Sequence, residues 1–167
     1  MFSLYISFVV ARLGGNAKYS SILASISMIG GCFAGGMFGV ILRKIKKNIV
    51  TVSSAASAVG FYLIFCARER WILCISALII GFANRIFSNN LYIMLGEVTP
   101  VEKIATANAN ALALMNGAAF VAAPIFNFII RQFCRQGSYQ SVFIVGTVYF
   151  VTISIAFGRC GNQVEEE

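Results

Sequence analysis

The sequence predicts an all-α fold: a polytopic bundle of about six transmembrane helices, of which the first is short. A helix needs about 20 mainly apolar residues to cross a hydrocarbon core of about 30 Å. Because backbone polar groups in lipid must bond one another, we interpret such stretches as helices. Five stretches of the 167-residue chain meet the requirement, near residues 20–42, 49–67, 71–95, 105–130 and 141–157.

The composition is that of an integral membrane protein. Hydrophobic residues make up 59% of the chain and charged residues 11%, against about 25% charged residues in a soluble domain. The formal net charge is +7. The basic residues lie at span ends rather than on one solvated face, so we expect membrane lipid and no nucleic acid as a partner.

Catalytic and metal-binding residue types are scarce. The chain has no His and no Asp, and none of its six glutamates lies deep in a span. The five cysteines form no CxxC motif, which is why we expect no metal site and no other cofactor. Without the usual acid, base and metal groups, we do not expect an enzyme.

The first two spans differ in length and composition. The short apolar piece near residues 2–12 looks like the second half of a helix whose first half is missing. The second span is dense in small residues, and Gly31, Gly35 and Gly39 recur at every fourth position. Such a face predicts close helix packing. One interpretation of the small residues is that they serve helix packing alone. The functional alternative is that the packed helices can also slide or rock.

Orientation rests on one dense basic cluster, residues 43–47, which follows the second span. Lys and Arg in short loops favour the cytoplasmic side. When the cluster is included, the number of basic residues is six on each side of the membrane, so only the density of this cluster indicates the orientation. We predict that this loop, the loop at residues 96–103 and an acidic tail at 158–167 are cytoplasmic, with residues 1–157 forming the bundle.

The fourth and fifth spans carry the candidate solute-binding residues. Arg85 lies about fourteen residues into its span, where an ionised side chain costs at least about 2.5–3.5 kcal/mol and should face the bundle interior or a wet cavity. It could attract an anionic or polar substrate, or it could be a structural Arg bonded to neighbouring helices. Asn89, Asn108 and Asn116 could likewise line a solute path or bond helices together.

Two loop patterns resemble the major facilitator superfamily. The family has a G-x-L-a-D-R-x-G-R-K loop after the second helix of each half. Here Gly39 and the basic character are kept, while Arg43 replaces the Asp and Lys46 replaces the second Gly. The loop after the fourth span is similar to the E-x-x-P-x-x-x-R stretch of organic-ion and sugar carriers, with matches at Glu97 and Pro100.

Further along, the T-A-N-A stretch at residues 106–109 and Pro124 also resemble the family. The resemblance covers nearly all of the chain and implies a C-terminal six-helix half with a truncated first helix. It also implies gating residues: Glu97 would pair with Arg43 or Lys44, near Pro100, and the pair would break as two halves rock.

The sequence therefore predicts membrane transport of a small organic solute by alternating access, as one half or a fragment of a secondary transporter. Its partner would be a complementary N-terminal half or a second copy of the chain. We expect the plasma membrane rather than an organelle membrane. The alternative is a truncated membrane protein that transports nothing and acts through helix–helix association.

Overall fold

The computed structural model describes Val10 and residues 17–45, 48–133 and 140–163. For residues 17, 119, 123, 126, 127, 129–133, 140–142 and 158–163 it describes the backbone alone. The described chain is helical and contains no strand, so the all-α prediction is confirmed there. Its helices are α1 (Ala17–Ile45), α2 (Ile49–Cys66), α3 (Arg70–Val98), α4 (Ile104–Phe133) and α5 (Gln140–Gln163), with a 3₁₀ turn at Val101–Lys103 before α4.

The helices follow the predicted spans, with two differences. The predicted first span, 2–12, lies outside the described residues except for Val10, which is helical and fully buried. The predicted tail begins inside α5, because that helix continues to Gln163. Polar residues extend a helix beyond its apolar core wherever the backbone can still satisfy its own hydrogen bonds.

Four of the described helices are long and apolar enough to cross a membrane. The qualifying segments are Lys18–Ile45, Ile49–Cys66, Arg70–Val98 and Val101–Ala122. In α5 the apolar segment, Phe143–Phe157, is shorter. The chain thus has the helices of a membrane protein.

The helices pack in the order α1, α3, α2, α5. The N-terminal ends of α1 and α3 meet where Tyr19 bonds the Arg70 carbonyl, and their middles meet where Ser27 contacts Gly81. These two helices therefore run parallel. In contrast, α2 runs antiparallel to α5, because Thr51 bonds Ser154 whereas Phe61 packs on Phe143.

Two apolar clusters hold this row together. The larger one joins all four packed helices through Leu23, Ile64, Leu73 and Phe143, and it includes Val10. Within it, Phe61 stacks on Phe143 and Phe150 at ring-centroid distances of 6.0 and 5.4 Å. The smaller cluster, Ala34, Ile49 and Ile86, joins the middles of α1 and α3 to the first turn of α2.

Among the described glycines, Gly30 and Gly81 make the closest approach to a neighbouring helix backbone, and the predicted glycine face does not. A Cβ added to Gly30 would overlap the Leu78 carbonyl oxygen, and one added to Gly81 would overlap that of Ser27. Gly31 is only in ordinary contact with α3, and nothing described lies within 4 Å of a Cβ on Gly35 or Gly39. Positions four apart on a helix drift by about 40°, so this row turns away from α3 as α1 proceeds.

Helix α4 stands apart from the row. It touches α3 and α5 only slightly, and none of the described side chains of its spanning segment, Val101–Ala122, is buried. The residues least exposed near its start, Ile104, Ala107 and Ala111, lie on one side. The opposite side is uncovered and carries small and polar residues: Thr106, Ala109, Asn110, Ala113 and Gly117.

Candidate functional site

The central candidate is the guanidinium of Arg85, at the middle of α3. At about 1.5 Å per residue it lies about 20 Å from either end of this 29-residue helix. The side chain is exposed and has no hydrogen bond or ion pair with any described residue. Within the described chain Arg85 thus lies on the surface, and its position in the interior or at a wet cavity of an assembled bundle stays a prediction.

The glycine of the neighbouring helix lets Arg85 lie at the crossing of α1 and α3. A Cβ on Gly31 would lie 3.7 Å from the Arg85 Cβ and 3.9 Å from its Cγ. Helix α1 therefore flanks the base of the arginine side chain with a bare backbone. One turn further along α1, Gly35 also presents no side chain, and the space next to it is open.

Polar residues surround Arg85 on its own helix. Asn84 precedes it and is exposed, while Ser88 and Asn89, one turn later, are half-buried. Residues three and four positions apart share a helix surface. Asn89, predicted at the cavity, therefore lies on the same side of α3 as Arg85.

Among the side chains that the structure describes, the most deeply buried amide is that of Asn90, which was not a predicted site residue. It is 6% exposed, and its amide nitrogen donates to the Met94 sulfur at 3.4 Å. Successive residues differ by about 100° around a helix, so Asn89 and Asn90 point in different directions. Nothing in the local pattern of two adjacent asparagines distinguishes the buried one from its neighbour.

The amides predicted on α4 are not joined to Arg85. Asn108 is half-buried, and its Oδ1 is a buried atom with no hydrogen-bond partner among the described residues. Asn116 is exposed. No hydrogen bond in the described part of the chain joins any two of the four predicted cavity residues. They lie on two helices, α3 and α4, that contact one another only slightly.

The predicted gating residues lie at one end of the bundle. Arg43 and Lys44 occupy the last turn of α1 and are exposed. Because α1 and α3 are parallel and in contact, the end of α3 that carries Glu97 lies at the same end. Pro100 begins the 3₁₀ turn, whose first bond runs from the Lys103 amide to the Pro100 carbonyl at 2.8 Å.

The opposite end combines cations with aromatic residues. Lys18, Arg68 and Arg70 are exposed there, beside the exposed indole of Trp71. The Tyr19 hydroxyl lies 3.3 Å from the Cys74 sulfur. In the part of the chain that the structure covers, no group of three His, Cys, Asp or Glu could hold a metal ion.

Comparison with known proteins gives no relative. No protein-family model matches the chain, and no curated protein or solved structure matches it either.

Proposed function

We propose that the chain is one half, or a fragment, of a secondary transporter that moves a small organic solute by alternating access. The observation that carries the proposal is Arg85, which lies at mid-span, is exposed and pairs with no described residue. A charge facing lipid tails costs at least about 2.5–3.5 kcal/mol. A second bundle placed over that surface would replace lipid with a closed, hydrated cavity.

The uncovered face of α4 supports the same proposal. Asn110 and Asn116 are exposed within an apolar segment, where unsatisfied polar groups are costly. A complementary half would cover both this face and the Arg85 surface. In transporters built from two repeats, the solute site lies near mid-membrane at the repeat interface, which is the depth of Arg85 in α3.

The gate of this carrier would lie at the end that holds Arg43, Lys44 and Glu97. An exposed ion pair is worth about 0–1 kcal/mol, so a pair between Glu97 and one of these cations could break without a large cost. We place the gate on the cytoplasmic side and the carrier in the plasma membrane, which cell fractionation with organelle markers can check.

Transport measurements test the proposal directly. The purified 167-residue chain is reconstituted in liposomes, and uptake of a panel of organic anions, organic cations and sugars is measured. We expect no saturable uptake by the chain alone, because its cavity surface is open to lipid. Saturable uptake by a chain that crosslinking shows to be monomeric would contradict the half-carrier proposal.

The positive control is a longer protein. If the reading frame upstream of Met1 continues into further membrane spans, the extended protein should give the saturable uptake that the shorter chain lacks. An extended protein with six more spans that moves no member of the panel would also count against the proposal.

Helix–helix association without transport is the second candidate, and the uncovered α4 is the observation that favours it. Cysteines placed at Asn110 or Gly117 on the uncovered face should crosslink copies of the chain in membranes if α4 pairs with itself. A cysteine at Ala107, on the covered side, is the matched control. Strong crosslinking of the extended protein at Asn110 would favour this candidate over transport.

A further inference from the structure

We propose that the solute is a small organic anion and that Arg85 binds its carboxylate or phosphate group. This inference rests on the proposed function, because it names the substrate class of the same site. It is carried by three properties of the surroundings of Arg85: its charge, its free donors and the space beside it.

The charge of this surface is not balanced within the described membrane segments. Arg85 is the one ionised Lys, Arg, Asp or Glu of those segments that lies more than two turns from a segment end. The nearest acid along its own helix, Glu97, is three turns away at the end of α3. A solute reaching mid-span therefore meets a positive potential, which in a low-dielectric environment acts strongly on an anion.

The donors of Arg85 are available. Its guanidinium carries five N–H groups and accepts nothing, and none of them bonds a residue that the structure describes. The geometry of this fork matches the two oxygens of a carboxylate or phosphate. A cationic or purely apolar solute would leave these donors unsatisfied.

The space beside Arg85 is lined by glycine on the neighbouring helix. Gly31 offers only backbone opposite the Arg85 Cβ. The Arg85 side chain is itself exposed. An anion of a few carbon atoms could thus approach the guanidinium past Gly31, where α1 has no side chain to displace. Asn84 and Asn89 add uncharged donors and acceptors on α3.

A carboxylate from another polypeptide is the competing partner for Arg85. In that case the guanidinium would be neutralised in the assembled carrier and would not select the solute. The two possibilities differ in whether anion uptake depends on Arg85.

Three probes that share one ring and differ in charge test the inference on the full chain: benzoate, benzylammonium and benzyl alcohol. Binding is measured by calorimetry with the chain and its complementary half assembled in phosphatidylcholine nanodiscs, so that the Arg85 surface is covered, and empty nanodiscs correct for partition into lipid. We expect benzoate to bind at least about tenfold more tightly than the other two, since a charge-assisted hydrogen bond is worth that factor or more.

Variants assign the binding to Arg85. Arg85→Gln should weaken benzoate binding by at least about tenfold, and Arg85→Lys should restore part of it. Arg68→Gln, which removes an exposed arginine at the bundle end, should change it by less than about twofold. Helix content and gel-filtration profile verify that each variant folds. Equal binding of the three probes, or benzoate binding that Arg85→Gln leaves unchanged, would overturn the inference.

Failure of the carrier proposal has a different signature. If the extended protein transports nothing while benzoate binding still depends on Arg85, the carrier proposal fails and the anion site stands. If instead the extended protein transports cations or sugars, and its Arg85→Gln variant transports them equally well, the carrier proposal stands and the anion inference fails. Saturable benzoate uptake that Arg85→Gln abolishes supports both.

Discussion

The Tyr19 hydroxyl donates a hydrogen bond of 2.9 Å to the backbone carbonyl of Arg70, and so joins the first turn of α1 to the first turn of α3. The residues are 51 positions apart, and α2 intervenes between them in the sequence. The bond fixes the parallel register of the two helices at one end of the bundle. The contact of Ser27 with Gly81 continues that register to the middle.

Removal of the Tyr19 hydroxyl should weaken this connection. We expect Tyr19→Phe to lower the free energy of unfolding by about 0.5–1.5 kcal/mol, the value of an ordinary hydrogen bond. Tyr149→Phe is the matched control, because Tyr149 is exposed on α5 and its hydroxyl bonds no described residue. Unfolding in mixed micelles with increasing dodecyl sulfate measures both. Equal effects of the two variants would contradict the assigned role of the bond.

The crossing of α1 and α3 should not tolerate a methyl group at Gly81. Its Cβ would overlap the Ser27 carbonyl oxygen, and overpacking of this kind costs about 1–3 kcal/mol. Gly35→Ala is the control, because its Cβ would meet no described atom within 4 Å. We expect the control to stay within about 1 kcal/mol of the parent chain. The same unfolding assay measures both variants. If Gly35→Ala were as destabilising as Gly81→Ala, the contact of α1 with α3 through Gly81 would be contradicted.

Labelling of single cysteines should separate the two ends of the bundle. In a background without the native cysteines, Asn48→Cys and Glu102→Cys lie at the end that holds Arg43, and Glu69→Cys lies at the opposite end. With an impermeant maleimide on intact cells, we expect strong labelling at position 69 alone, with positions 48 and 102 labelled only after permeabilisation. Different behaviour of positions 48 and 102 would contradict the parallel packing of α1 and α3. Strong labelling of both in intact cells would reverse the orientation and leave the packing intact.

Replacement of Arg85 should affect function more than accumulation. Arg85→Ala removes no hydrogen bond seen in the described chain, so we expect its amount in membranes to stay within about twofold of the parent. Leu73→Ala is the contrasting variant, and we expect it to accumulate less. The Leu73 side chain is fully buried, and its truncation costs about 2–5 kcal/mol of stability. Immunoblots of membrane fractions compare the two. Uptake by the extended protein should fall in Arg85→Ala and be partly restored in Arg85→Lys, and an Ala variant that fails to accumulate would indicate a structural arginine.

The helical class and the helix positions could be predicted from the sequence. Apolar runs of the right length become helices in lipid because the backbone has no other partner for its polar groups. The same reasoning singled out Arg85, since an ionised residue in the middle of an apolar run is costly in any fold. Neither conclusion depends on which helices are neighbours.

Only the tertiary structure decided which faces meet. Gly30 and Gly81 make the close contact, although Gly31, Gly35 and Gly39 form the more regular row. Asn90 is buried, whereas Asn89, which was predicted to line a solute path or to bond helices together, is half-buried. In a soluble helix the apolar stripe marks the side that faces the core. In lipid both sides of a helix are apolar, so packing shape rather than hydrophobicity selects the partner. That shape is a property of two helices together, and the sequence of one helix does not contain it.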